Sequence, residues 1–428
     1  MKYKGDNLKA DLDNAWEAVV KSFPRMAEDY CDANHAVHWT KDINDLDIKF
    51  LTNWCKLRDE AEYIFADAAN NLHDTASALC EALKDFAKAD SDAADKLNDA
   101  RSEFGDKVPS MAKTTIPLSG HYYASNEYYE PKTPKFDYDS NAPTIHELMD
   151  KANTLEDKLY DLVCDEMGWP DGWVQSWVSR DSSADSADPT EKETGIKPAL
   201  KKALKYNPSK LGTALGAINS VGDSGMQPFN KFSMEVDNAK DGLNPDVWDS
   251  KAATAFRHDF LNAYPDIADT HVMIVGTLAG ALKGYHQALE DTHNTIDDAL
   301  DAAIKACDQK LVSQDTYAKG LLTAVLSAVI TIAGAVYSGG ATLSFTLAGQ
   351  GVSIASAALT SGGSTRKEIH SNILSTIHTA KKKLDEFDDE LAKSLKEDYG
   401  NVSGNRHNPD MKVDLPRPSF VGYGAKPF

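Results

Sequence analysis

The sequence lacks most features that would mark an enzyme, a nucleic-acid binder or a disulfide scaffold. Its five cysteines, Cys31, Cys55, Cys80, Cys164 and Cys307, lie far apart with no C-x-x-C pair. This spacing excludes a zinc ribbon, a thioredoxin motif and a disulfide-dense framework. One bridge among Cys31, Cys55 and Cys80 stays open if their helices adjoin, but buried free thiols are the expectation. Positive charge is also scarce: 45 Lys plus Arg against 66 Asp plus Glu leave −21 over 428 residues. The densest basic run, Lys381-Lys382-Lys383, stands beside acids. Phosphate backbones are repelled by such a chain, so no nucleic-acid partner is expected. The N-terminus, MKYKGDNLKADLDNAW, has no apolar core of the kind a Sec signal peptide needs. The expectation is a cytoplasmic protein or one that leaves the cell without a leader.

Catalytic signatures are missing too. There is no phosphate loop, nucleophile elbow or kinase set. His146-Glu147-Leu148-Met149-Asp150 departs from the zinc-protease H-E-x-x-H, with Asp150 in place of the second His. His286, Glu290 and His293 share a helical face but lack a fourth ligand. His35 and His38 near Asp32 are a weaker grouping. No catalytic residue, metal or cofactor is assigned.

What the sequence does have is helical periodicity, in a chain 42% apolar and 26% charged. Leu8, Leu12, Trp16, Val19, Phe23 and Ala27 step by three and four over 5–31, with Pro24 expected to kink that helix. A longer stripe runs from Phe50 through Trp54, Leu57, Ala61, Ile64, Ala68, Leu72, Leu79, Leu83 and Phe86 to Leu97. The two predict an antiparallel hairpin over 1–104. Between 105 and 193 the pattern breaks. Prolines and tyrosines suggest an extended arm, followed by a short helix over 145–167, then Trp169, Trp173, Trp177 and an acidic linker. Weak helices broken by Pro208, Gly222 and Gly225 lead to a second hairpin within 194–316. Its long helix carries Leu278, Leu282, Tyr285, Leu289, Ile296, Leu300, Ile304 and Cys307. An apolar hairpin and an amphipathic helix (Ile369 to Leu395) fill 317–399, and 400–428 is read as an irregular tail. The predicted class is all-α: an elongated bundle of long antiparallel helices.

Two features carry functional information. The first is a pair of tryptophan-to-helix units. WDSKAATAFR at 248–257 places Trp248 after a turn and Phe256 inward, and Trp39-Thr40-Lys41 stands at the corresponding turn of the first unit. This layout resembles the WXG100 proteins, helical hairpins exported leaderless by type VII (ESX) secretion, although Lys41 and Ser250 stand where that family has glycine. The family's closing composite falls on Phe86, Asp90, Ala93 and Leu97 in the first unit. In the second it falls on His293, Asp297, Leu300 and Ile304. Steps of four, three and four put each set on one helical face. The resemblance implies export, and the type VII machinery or a WXG100-like protein as partner. A plain bundle stripe carrying a solvated Asp would look the same.

The second feature is the charge-free run from Gly320 to Thr365. Leu321, Leu322, Val325, Val329, Ile332 and Val336 form its first half. Gly339 and Gly340 mark a turn, and Phe345, Leu347 and Ile354 lie in its second half. The first half, Leu321 to Tyr337, would span about 25 Å as a helix, short of a hydrocarbon core of about 30 Å. One reading is a helical hairpin buried in the bundle or in a homo-oligomer interface. The other is a concealed membrane-inserting hairpin, similar in layout to α-helical pore-forming toxins of the ClyA kind. A cytoplasmic scaffold or chaperone is a third role for the whole chain. Gly276, Gly280 and Gly284 add a small-residue ridge on the long helix, where close packing against another helix is expected.

Overall fold

The computed structural model describes residues 22–89, 140–167, 195–223, 240, 254, 256–312, 329–330, 352–353, 366–406 and 413–415. These are predominantly helical. The helices are α1 (Phe23–His38), α2 (Lys49–Ala89), α3 (Ile145–Met167), α4 (Ile196–Ala203), α5 (Ser209–Asp223), α6 (Tyr264–Val312) and α7 (Arg366–Asn405). A 3-10 turn, Trp39–Ile43, follows α1, and a π turn, Arg257–Leu261, precedes α6. Two residue pairs, β1 (Val329–Ile330) and β2 (Val352–Ser353), form an antiparallel bridge.

Side-chain register fixes how the helices run. Tyr30 packs on Phe65, and Asn34 Nδ2 donates to the Glu62 carbonyl at 2.6 Å, so α1 runs against α2. Phe50 meets Tyr285, Trp54 Nε1 donates to the Leu278 carbonyl at 2.9 Å, and Phe65 meets His271, so α2 runs against α6. Against α6, by contrast, α3 runs parallel at a constant offset. Pro143 meets His293, Lys151 meets Asp301, and Lys158 meets Asp308. The start of α3 is set locally by a capping box. Thr144 N–H donates to Glu147 Oε2 at 2.7 Å, and Glu147 N–H donates to Thr144 Oγ1 at 3.3 Å.

Two apolar clusters result. One gathers α1, α2, α5, the first half of α6, the second half of α7 and Val413 with Leu415. The other gathers α3, α4, the second half of α6 and the first half of α7. The 49-residue α6 would be about 73 Å long at 1.5 Å per residue, and it serves both clusters with successive stretches of one stripe. Leu278, Leu282, Tyr285 and Leu289 belong to the first; Ile296, Leu300 and Cys307 belong to the second. Phe256 is buried as expected, stacked on Phe260 at 5.2 Å.

Three expectations change. The tail was read as irregular from Gly400, yet α7 continues to Asn405. Tyr399 and Val402 pack on the first cluster there, which offsets the poor helix propensity of an exposed glycine. Residues 320–365 were read as a helical hairpin, but the four described among them are extended. Val329 pairs with Ser353 and Ile330 with Val352, in keeping with the β-branched side chains of Val329, Ile330 and Val352. The glycine ridge is mostly open: a Cβ added at Gly276 or Gly280 would meet nothing within 4 Å, and one at Gly284 would lie 3.5 Å from Phe387 Cζ. Pro24 lies in the first turn of α1; the chain upstream of Ser22, the arm over 105–139, and Trp169, Trp173 and Trp177 lie outside the described residues.

Candidate functional site

The first Trp unit is built by the end of α1. His35 and His38 occupy its last turn, where cationic or dipolar groups suit the carbonyl end of a helix. The 3-10 turn then sorts its side chains. Thr40 and Ile43 are fully buried, Thr40 Oγ1 donating to the Val37 carbonyl at 2.6 Å. Trp39 points outward and is 42% exposed, the one exposed large hydrophobic side chain among the described residues.

One polar side chain holds this indole, and a separate charged group forms beside it in the chain. Trp39 Nε1–H donates to His35 Nε2 at 2.6 Å, with the two rings edge-on at 5.9 Å. His35 must therefore be unprotonated at Nε2. Burial, and then the neighbouring His38, lower its pKa from the ordinary histidine value, while Asp32 works the other way. Glu62 of α2 joins the residues on either side of Trp39, 2.9 Å from Lys41 Nζ and 2.8 Å from His38 Nδ1. His38 Nδ1 also lies 2.9 Å from Lys41 Nζ. It can donate to the carboxylate or accept from the ammonium, but not both at once. The result is a half-exposed indole whose N–H is held by His35, next in the chain to a linked Lys41, His38 and Glu62 group.

The second composite is placed differently. His293 is fully buried, its Nδ1 2.7 Å from the Pro143 carbonyl, and burial lowers its pKa. Leu300 is fully buried, and Ile304 packs at the edge of the second cluster. Asp297 is more accessible but ion-paired, its Oδ1 2.6 Å from Lys151 Nζ, which also holds Asp301 at 2.9 Å. This face of α6 is thus covered by α3. Of the first composite, Phe86 lies on α2, with its side chain outside the described residues. Asp90, Ala93 and Leu97 lie outside them as well, as does Trp248.

The apolar run is represented by Val329 in β1, and β1 touches α6. Leu321, Leu322, Val325, Ile332, Val336, Gly339, Gly340, Phe345, Leu347 and Ile354 lie outside the described residues. No helix among the described residues is long and apolar enough to cross a membrane.

The histidine-rich face of α6 does not gather around a point. His286 Nδ1 is 3.6 Å from Glu290 Oε2, whereas His293 turns to Pro143. No group of three His, Cys, Asp or Glu side chains among the described residues is placed to hold a metal. Cys31 is a buried free thiol and Cys307 is buried; Cys55 is half-buried, its Sγ 3.4 Å from Asn44 Oδ1.

Sequence reasoning missed the link of His38 and Lys41 to Glu62, because Glu62 comes from another helix. The T-x-x-E capping signature at Thr144 was available and unused. No protein-family model, curated protein or solved structure matches this chain.

Proposed function

We propose that this chain is a non-enzymatic docking protein, exported without a Sec signal by a type VII route and acting outside the cytoplasm by assembly. Its partner is the secretion machinery, a WXG100-like protein or a second copy of itself. The observation that carries this reading is Trp39. Two helices running in opposite directions are joined by a turn that buries Thr40 and Ile43 and leaves the indole in water. A large exposed aromatic flanked by Lys41 is a ready anchor for a partner surface. An elongated bundle with WXG100-like hairpins belongs to the same reading, supported by the length of α6 and its constant register with α3.

In this reading the two composites have different tasks. Asp297, Leu300 and Ile304 stabilise the α3–α6 contact, while the first unit presents its turn to the partner. The net charge of −21 keeps the chain soluble in transit. The composition of 320–365, free of charge over its whole length, supports membrane contact as a later step. A ClyA-like pore-forming subunit that needs no type VII machinery draws on the same run.

Export from a bacterium carrying such a system tests the reading. Trp39→Ala and Asp90→Ala should leave the protein helical and at normal cellular level but absent from the medium. Equal export of wild type and both variants, or of wild type with and without the secretion ATPase, would overturn it.

A further inference from the structure

Beyond the end of α7 the chain returns to the bundle at Val413–Leu415. Val413 and Leu415 are buried in the first cluster, and Asp414 between them is turned to Arg406. Three donors from three places read this segment. His271 Nε2 of α6 lies 2.8 Å from the Val413 carbonyl, and Asn71 Nδ2 of α2 donates to the Leu415 carbonyl at 2.9 Å. Arg406 Nε donates to Asp414 Oδ1 at 3.1 Å. The contacts fall on two carbonyls two positions apart and on the carboxylate between them.

Each donor also has a hold that does not involve the segment. His271 Nε2 carries the hydrogen that meets the Val413 carbonyl, and its Nδ1 accepts from Tyr30 Oη of α1 at 2.7 Å. Asn71 Nδ2 gives its second hydrogen to Asp67 Oδ2 at 3.2 Å. Arg406 Nη1 donates to Glu60 Oε2 at 3.3 Å, and the guanidinium stacks 3.7 Å above the Tyr63 ring. These holds aim the three donors whether or not the segment is present. The seat is therefore preorganised, and the entropy cost of filling it falls mainly on the incoming segment. Its donors and its apolar floor select apolar–Asp–apolar chemistry, which every copy of this chain carries.

We propose that this seat of His271, Asn71 and Arg406 is a surface on which two copies of the chain assemble, each lending its Val413–Leu415 to the other. The segment makes in the second copy the contacts it makes in its own, so exchange costs little beyond association itself. Six residues, His407 to Lys412, join Arg406 to Val413 and reach at most about 25 Å. The two seats must face each other within that reach, as a two-fold arrangement allows. In dilute solution the tethered segment stays on its own seat, and exchange grows with protein concentration. The inference gives a surface to the assembly named in the proposed function and rests on that part alone; export has its own test and can fail without touching this one.

Reversing the charges of the Arg406–Asp414 pair in full-length protein tests the exchange. Arg406→Glu sets a like charge against Asp414, and Asp414→Arg does the same to Arg406. Neither variant can then seat its segment well on itself or on its own kind. Mixed, the two are complementary: one seat keeps the native pair and the other has both charges reversed. About 0.15 M salt screens the mutual repulsion of two acidic chains. Under these conditions light scattering should give the mixture twice the mass of one chain. Each variant alone, and a chain carrying both substitutions, should remain single at the same concentration. A mixture that stays single while circular dichroism shows both variants helical would overturn the proposal, as would doubling by either variant alone. Should Arg406→Glu not fold, a synthetic peptide of residues 411–417 gives the second reading. It should bind the Asp414→Arg protein, whose own segment is repelled, and the same peptide carrying Asp414→Arg should not. No binding of the first peptide, or equal binding of both, would overturn it.

Discussion

Asp388 of α7 caps the first turn of α2 at Phe50. Its Oδ1 accepts the Phe50 N–H at 2.8 Å, and its Oδ2 accepts the Lys49 N–H at 3.0 Å. A carboxylate from a helix 338 residues away thus does what a local Ser or Asp does in most helices. Burial raises the pKa of this carboxyl against the opposing pull of the two N–H groups. The cap also ties α7 to α2 in register. Asn53 Nδ2 donates to the Ala392 carbonyl, and Lys56 stacks over Tyr399 further along.

Asp388→Ala should therefore destabilise the bundle by about 1–2 kcal/mol, since two backbone donors, the Phe50 N–H of them buried, lose their acceptor. Asp388→Asn, which keeps one acceptor oxygen, should cost less. Denaturant unfolding followed by circular dichroism checks the order. An alanine variant as stable as wild type would mean that the first turn of α2 is satisfied by water.

The indole of Trp39 should respond to acid. Its N–H is accepted by His35 Nε2, and the His35 pKa is lowered mainly by burial. The neutral ring is the folded form. The contact is therefore complete above the ordinary histidine value of about 6.5 and is lost as pH falls through the lowered one. The difference in tryptophan emission between wild type and Trp39→Phe should shift on acidification and return on neutralisation. In His35→Gln that shift should disappear. An unchanged shift in that variant would assign it to another group.

How much of this was legible in the sequence depends on the distance over which each interaction acts. Stripes such as Leu278, Leu282, Leu289 and Ile296 show themselves because helical periodicity is local, and all four are buried. The turn at Trp39 was also legible, and the 3-10 segment stands there. Pairings between distant segments were not. Nothing near Phe50 announces Asp388, and nothing near Val413 announces His271. The parallel run of α3 beside α6 is set by Lys151, Lys158 and their acidic partners 150 residues on. Extended pairing of Val329 with Ser353 was hidden by a run of small and apolar residues, which fits a helix and a strand equally well.

That run gives a direct test of membrane action. Dye release from liposomes by wild-type protein, abolished by Val329→Asp or Ile332→Asp, is the outcome expected if 320–365 enters a bilayer. A charge near the bilayer centre costs about 2.5–3.5 kcal/mol on insertion scales, enough to suppress insertion. No leakage from any vesicle composition or pH would remove membrane insertion and leave assembly as the whole role.

The glycine ridge of α6 offers the last test, because its two open positions should behave unlike buried ones. A Cβ at Gly276 or Gly280 meets nothing within 4 Å, so alanine there adds no clash and gains helix propensity. Each substitution should stabilise the isolated chain by about 0.5–1 kcal/mol. At Gly284 the new methyl would sit 3.5 Å from Phe387 Cζ, an ordinary contact, so the gain is similar or smaller. Homo-oligomerisation through this ridge reverses the sign. If a second copy packs against Gly276 and Gly280, the added methyl groups hold the two helices apart. Thermal unfolding at low and high protein concentration separates the cases. A raised Tm at both concentrations means the ridge is free in the native state. A raised Tm at low concentration but a lowered one at high concentration would identify the ridge as the surface on which copies meet.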